Sequence, residues 1–407
     1  MKNLLSLIAT LSIILFLTFL SVFYSEGWRL NPTLLMRKIS NNNENSKIEI
    51  ITKTGMLAVR SIPDGAKVFL DDKLITATDD TISSLNPMSY TLRVEKEGFE
   101  TWKKDITIYP ELVTDITAIL ISETPRLEPL TNTDVTSFAI SSSYNEIAFT
   151  TSTEKNPGVW ILPLSNSPLN ILRNSAQPLI IDTTEFSPSK GQIISWSPDD
   201  KELTIQMNPQ GFFLYKVDKG IGLNPQNVKP TQYDKIEKIF DIWNKRTSTL
   251  FTSRLNDFTK KQQMPADILS IASKNNVLWS PDERKFAAET PNESNNKLTD
   301  ITVYNGDVTL PIGELSVNHT LKGIDKSKLF YSWYSDSYHL ILVEQQADKV
   351  DSYTLSIIRI DGTNLTQIYT GYLTTKQAYS TPNGDKIVVL TTLKEGSKPN
   401  LYGISIR

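Results

Sequence analysis

Few residues in this chain have the type and spacing for bond-making chemistry. There is no cysteine in 407 residues and there are only two histidines, His319 and His339, twenty positions apart. Thiolate nucleophiles, thiolate metal sites and disulfides are therefore excluded, and most histidine-based acid–base and metal chemistries lose their usual side chain. No Gly-x-Ser-x-Gly elbow, phosphate-cradling Gly-x-x-x-x-Gly-Lys-Ser/Thr loop or Gly-x-Gly-x-x-Gly fingerprint occurs. Acidic residues are plentiful, 45 against 42 Lys plus Arg, so a carboxylate pair of the glycosidase kind is conceivable, but its separation is a three-dimensional quantity. Asp71, Asp72, Asp79 and Asp80 form the densest acidic group. Their spacing matches no calcium loop, and acidic turn residues explain them. No catalytic, cofactor-binding or metal-ligating residue is nominated, no cofactor is expected, and the chain reads as a non-enzyme. With a formal net charge of −3 there is no field to gather phosphate backbones, so no nucleic-acid partner is expected.

The elements that would carry any binding surface begin with Leu4 to Phe23, twenty residues without a charge. As a helix this run spans about 30 Å, the thickness of a bilayer's hydrocarbon core. Phe23, Tyr24 and Glu26 leave no small-x-small cleavage site, which points to an uncleaved signal anchor, a single N-terminal transmembrane helix. Arg29, Arg37 and Lys38 follow it and only Lys2 precedes it, so the charge count does not favour an external body. The two-residue N-terminal tail and the missing cysteines point the other way. The expected location is a single-pass cell-membrane protein with its C-terminal body outside the cytoplasm. Residues 1–38 are read as anchor and juxtamembrane segment, and 39–54 as a polar, Asn-rich tether.

From 55 to 122, short alternating runs such as Thr91-Leu92-Arg93-Val94-Glu95 are separated by turn residues, which predicts antiparallel strands with one solvated face. Pro63-Asp64-Gly65-Ala66, followed by Val68-Phe69-Leu70-Asp71, resembles the motif for which the PEGA domain is named. Asn86-Pro87-Met88-Ser89-Tyr90 and Gly98-Phe99-Glu100-Thr101-Trp102 resemble its later elements. Asp72 and Thr76 stand where glycine is usual, and Asp79 where proline is. The resemblance implies a small β-sandwich of microbial envelope proteins with no catalytic role. Trp102 is expected in its core.

The rest, 123–407, repeats. Trp196-Ser197-Pro198-Asp199 and Trp279-Ser280-Pro281-Asp282 each sit between strand-like runs, where Ser and Pro have a mechanical reason to close a hairpin. Weaker copies centre on Ser141, Ser335 and Ser380, giving gaps of 56, 83, 55 and 45; a worn copy at Phe240 to Phe251 divides the long gap. Lone strands follow the hairpins, among them Gly158 to Leu162 and Gly211 to Val217. Six copies of about 47 residues match the size of four-stranded propeller blades. The Trp-Ser-Pro-Asp hairpins resemble those of the TolB-type propeller and its WD-like relatives. The expected fold is all-β: a PEGA-like β-sandwich, then a six-bladed β-propeller, with seven blades as the alternative. Trp196, Trp279 and Trp333 are expected as inter-blade core aromatics, and Asp199 and Asp282 as turn residues.

The implied function is a membrane-anchored envelope protein that binds a protein partner or cell-wall polymer through its propeller, with the PEGA-like module as spacer or second binding surface. Alternatives are an envelope hydrolase or lyase of polysaccharide with a carboxylate site in the propeller funnel, and a cytoplasm-facing scaffold. Two segments without repeat character, Gly220 to Lys238 and Leu255 to Lys274, are the expected contact loops.

Overall fold

The computed structural model describes residues 2–25, 28–30, 51–153, 155–164, 176–217, 231–262, 266–272, 277–295, 297–307, 310–347, 351–392 and 397–407. The chain divides into two compact units, residues 1–120 with 310–314, and 121–309 with 315–407.

The first unit starts with helix α1, Lys2–Ser25. Its window Ile8–Ser25 has mean hydropathy 2.1 and none of it is buried in the protein. The Thr18 hydroxyl donates to the carbonyls of Ile14 (3.0 Å) and Leu15 (2.9 Å), so this polar group is satisfied within its own helix. Strand β1, Trp28–Leu30, pairs antiparallel with β2, Ile51–Lys53, with Trp28 opposite Lys53. Residues 51–53, expected at the end of a tether, are therefore strand; residues 39–50 lie outside the described residues.

Two sheets face each other beyond this hairpin. One orders Asp80–Leu85, Gly55–Ile62 and Val113–Ile119, the last two parallel. The other orders Lys73–Ala77, Lys67–Leu70, Ser89–Glu95 and Trp102–Thr107. Alternate residues of Gly55–Ile62 are buried, as a half-solvated strand dictates. Leu57, Val59, Val68, Leu92, Val94, Trp102 and Ile116 share one core. The acidic cluster builds turns. Asp71, Asp72 and Asp79 have φ of 47°, 64° and 66°, left-handed conformations that glycine favours and aspartate tolerates, which explains why aspartate replaces glycine at 72. Asp71 Oδ1 accepts the Thr91 amide at 2.9 Å, and Asp80 accepts the Thr76 hydroxyl at 2.6 Å.

The second unit is a propeller of four-stranded antiparallel sheets, five among the described residues. Sheet I comprises Val135–Ile140, Glu146–Thr151, Gly158–Pro163 and Gln177–Ile181. Sheet II comprises Gln192–Trp196, Glu202–Met207, Gly211–Lys216 and Thr231–Tyr233. Sheet III comprises Leu278–Trp279, Lys285–Pro291, Thr299–Asn305 and Val317–Ile324, and sheet IV Leu329–Trp333, His339–Gln345, Ser352–Arg359 and Thr366–Tyr372. Sheet V, Ala378–Ser380, Lys386–Thr391 and Asn400–Ser405, takes its fourth strand, Arg126–Pro129, from the start of the unit.

The hairpin register is common to all five. The amides of Ser141, Ser197, Ser280, Tyr334 and Thr381 donate to the carbonyl five residues on, at 2.8–2.9 Å. Three residues after each, Tyr144, Asp200, Glu283, Ser337 and Gly384 have φ between 56° and 65°. The copies centred on Ser335 and Ser380 are thus displaced by one residue: the turn positions there are Tyr334 and Thr381, where neighbouring serines mimicked the motif. The worn copy at 240–251 is not a strand pair at all. It lies within helix α2, Ile236–Gln262, a stretch without Gly or Pro that buries Ile239 and Trp243 on one face. Helix α3, Ala266–Ala272, follows.

Apolar contact links sheet I to II, sheet III to IV and sheet V to I. Ile193, Trp196 and Leu203 of sheet II pack with Ala148, Val159 and Ile161 of sheet I. Trp333 of sheet IV packs with Ala287, Ile301 and Val303 of sheet III. Val388, Leu390 and Leu401 of sheet V close onto Val135, Phe138 and Phe149 of sheet I. The indole of Trp196 donates to the Ala139 carbonyl at 3.0 Å, and that of Trp333 to the Leu278 carbonyl at 2.9 Å, the same contact made one sheet back in both cases. Ahead of sheet III the pattern changes. Trp279 sits in a cluster with Ile268 and Ala272 of helix α3, so the helices occupy the face that a preceding sheet covers elsewhere.

Trp333→Ala, which empties a site with 0% exposure, should destabilise the second unit by about 3–5 kcal/mol. Trp279→Ala, at a half-buried position, should cost clearly less. Urea unfolding of both variants decides, and equal losses would mean that Trp279 bears the same inter-sheet load as Trp333.

Candidate functional site

The shared hairpin register places an ionisable residue at the same point of every sheet, five positions after the turn residue: Glu146, Glu202, Lys285, His339 and Lys386. Each starts a second strand. Four of the five have charged partners. Lys285, with 0% exposure, lies 2.8 Å from Asp282 and 3.0 Å from Asp307, with its ammonium 4.2 Å from the centre of the Tyr338 ring. A charge so deep is tolerable only with such partners, and Tyr338 completes the set by donating to Asp307 at 2.6 Å. His339 Nδ1 is 2.6 Å from Asp336 Oδ2. Burial pushes the Asp336 carboxyl up, but His339 and the amides of Tyr338 and His339 outweigh it and hold the group below its usual range. Lys386 pairs with Glu128 at 2.7 Å. Glu202 accepts the Trp243 indole at 2.8 Å and the Arg246 guanidinium at 2.7 Å, which fastens α2 to sheet II.

Glu146 is different. Among the described residues no hydrogen bond or ion pair engages its carboxylate. Burial first and the Asp200 charge second raise its pKa above the ordinary glutamate value. It faces a cavity of about 1070 Å³ between sheets I and II, with Asn145, Gln177, Lys201, Lys216 and Arg246 among the lining residues.

The other carboxylates of that cavity have partners. Asp200 accepts the amides of Ser142 at 2.6 Å and Ser143 at 3.1 Å, and the Ser142 hydroxyl donates to the Ser197 carbonyl, which ties the two hairpins together. Asp199 accepts the Ser197 hydroxyl at 2.7 Å and Arg246 at 3.0 Å. Burial raises the Asp199 pKa, but Ser197 and Arg246 pull harder and leave it lowered. The wall thus mixes polar residues with Ile161, Pro163 and Val217, and among its carboxylates only Glu146 has no partner among the described residues.

The sequence placed Asp199 and Asp282 in turns, and they are there. Trp102 is buried in the sandwich core. His319 is exposed in sheet III with Thr302 Oγ1 3.2 Å from its Nδ1, while His339 is buried in sheet IV. No group of three or more His, Asp or Glu among the described residues could hold a metal. Of the two expected contact segments, 220–230, 263–265 and 273–274 lie outside the described residues; the rest forms the fourth strand of sheet II and parts of α2 and α3. Glu146 and Arg246 were missed. The available signal was the ionisable residue five places after each turn, legible once the register is right.

The first unit's two sheets and its Pro63-Asp64-Gly65-Ala66 turn agree with a family comparison. Residues 54–123 match the PEGA domain. No curated protein matches the chain. Among solved structures it is similar to TolB from Acinetobacter baumannii, with 14% identity over 78% of this chain and 60% of that one, at a TM-score of 0.26. A putative TolB from Agrobacterium tumefaciens matches with 12% identity over 87% and 99%, TM-score 0.24. An oligogalacturonate lyase from Vibrio parahaemolyticus matches with 9% identity over 70% and 97%, TM-score 0.28. Beside the PEGA match, the propeller rests on the strand pairing described above.

Because the folded state holds the Glu146 proton to higher pH than the unfolded chain does, folding stability falls as pH rises through the usual value of 4.5 and on to the raised one. Glu146→Gln removes this penalty. The variant should melt higher than the parent at pH 7, with the difference vanishing below about pH 4. A difference independent of pH would show that the Glu146 carboxylate is not the group responsible.

Proposed function

We propose that this chain is a membrane-anchored, non-enzymatic envelope protein that holds a protein partner or a wall or surface polymer at its propeller, with the PEGA module as spacer or second binding surface. Helix α1 is the anchor, and the body lies outside the cytoplasm. The observation that carries the binding role is the Glu146 carboxylate, without a partner among the described residues, on a cavity of about 1070 Å³, at a register position where Glu202, Lys285, His339 and Lys386 all have partners. A half-buried carboxylate with a desolvation penalty and no partner among the described residues is suited to a basic or hydroxyl-bearing group from outside, whose arrival would offset it.

A second reading has its own observation. Glu146 is pushed up and Asp199 down within one cavity, the divergence that marks an acid and a base in polysaccharide-cleaving sites. Against it, Asp199 is already held by Arg246 and Ser197, so its lone pairs are directed to the fold and not to a substrate.

The full chain in mild detergent, used as bait against native envelope extract, should capture a partner or polymer, and Glu146→Gln should reduce capture about tenfold. Undiminished capture would remove the cavity from the reading. Shortening of an envelope polysaccharide by the parent, lost in both Glu146→Gln and Asp199→Asn, would establish the enzyme instead. Protease added to intact cells should cut the body; complete protection would place it in the cytoplasm.

A further inference from the structure

Five large apolar side chains stand exposed at one end of the PEGA sandwich: Met56, Met88, Tyr109, Leu112 and Val113, each 39–49% exposed. They come together because the strands Gly55–Ile62, Ser89–Glu95 and Val113–Ile119 all begin at this end. The Met56 amide donates to the Leu112 carbonyl at 2.9 Å, that of Glu111 to Thr54 at 3.0 Å, and that of Ile108 to Met88 at 3.0 Å. The loop 109–112 is thus held firmly against the strand. Gly55 makes the close approach possible, since a Cβ there would lie 2.2 Å from the Tyr109 carbonyl oxygen. On the same outer sheet face the next residues are Ala58 and Asp115, followed by Arg60, which is ion-paired to Asp115, so small and charged side chains bound the apolar tip.

The chain also fixes where this tip stands relative to α1. Helix α1 ends at Ser25, and three residues later Trp28 is already paired with Lys53, which leads through Thr54 into the tip. The pairing of Trp28–Leu30 with Ile51–Lys53 therefore sets the distance between helix and sandwich. Three residues from Ser25 span at most about 11 Å, the strand pair adds about 5 Å, and three residues to Met56 add about 10 Å. Met56 of the tip therefore lies within about 26 Å of the end of α1, and the tip carries a tyrosine and aliphatic side chains, the composition of an interfacial anchor.

We infer that the tip formed by Met56, Met88, Tyr109, Leu112 and Val113 rests in the interfacial layer of the bilayer that α1 crosses, so that the PEGA module lies on the lipid surface instead of extending freely from it. This rests on the anchoring role given to α1 above. The occupant is lipid because the tip is joined to the membrane helix by a hydrogen-bonded strand pair and not by a long tether.

The absence of cysteine makes a direct test simple, since each introduced cysteine is the only one in the chain. Full-length protein is reconstituted in phosphatidylcholine vesicles and spin-labelled at Leu112→Cys, Val113→Cys, Glu97→Cys at the opposite end of the sandwich, or Leu17→Cys within α1. Collision with lipid-soluble oxygen and a water-soluble nickel chelate is then compared, and circular dichroism melting confirms that each variant is folded. Labels at 112 and 113 should collide several-fold more with oxygen and less with nickel than the label at 97, and the label at 17 should lie deeper still. If 17 is in lipid while 112 and 113 match 97, the inference fails and the anchor stands. Protection of 112 and 113 from both reagents would mean a protein cover, which also overturns it. If 17 itself is exposed to nickel, the anchoring role falls and the inference with it.

Discussion

One backbone hydrogen bond organises the propeller: the amide of residue 141, 197, 280, 334 or 381 bound to the carbonyl five positions later. It can form only if the residue three places on adopts a left-handed conformation, and all five do, although only Gly384 is a glycine. Side chains offset that strain. Ser197 accepts the Glu202 amide and donates to Asp199, Ser280 does the same with Lys285 and Asp282, and Thr381 with Lys386 and Asp385. With the turn fixed, the preceding residue points its side chain toward the neighbouring sheet, where Trp196 and Trp333 find a carbonyl. The residue five places on starts the second strand as the ionisable position. The core and the polar layer thus both follow from the same bond.

Much of this was legible in the sequence because Pro and Asp in Trp-Ser-Pro-Asp have strong local meaning. Trp196 and Trp333 could be assigned to the core, and Asp199 and Asp282 to turns, from the motif alone. At Tyr334 and Thr381 the hydroxyl of the motif is moved or replaced, and adjacent serines at 335 and 380 gave a register wrong by one. The sandwich was readable for the same reason of turn chemistry, with aspartate standing in for glycine at Asp72. Glu146 was not legible. Nothing in its local sequence separates it from Glu202; only the bonds that Trp243 and Arg246 make to Glu202 do, and those are a tertiary fact.

Helix α2 shows how a count of repeats can mislead. Ile242-Trp243-Asn244 imitates a strand before a polar turn, yet burial follows a helical spacing, Ile239 to Trp243, and Arg246 continues on the same side to reach Glu202 and Asp199. Short periodicity signals of this kind are ambiguous between strand and helix, and here the run of twenty-seven residues without Gly or Pro is the better guide. The helix is fastened to sheet II by charge and indole contacts, while α3 meets sheet III through Ile268 and Ala272, so the two neighbours are held by different physics.

The strand Arg126–Pro129 has a mechanical meaning. It is the first strand of the second unit and the outer strand of its last sheet, and its ladder with Asn400–Ser405 is extended by bonds from Ser122 to Ile406 and from Leu130 to Leu401. Any load travelling along the chain into the propeller enters through this strand. A pull along its axis is shared among all the bonds of the ladder at once, whereas a pull across it breaks them one at a time, so the same few hydrogen bonds form either a strong clasp or a weak zipper. The direction of tension decides which of the two it is.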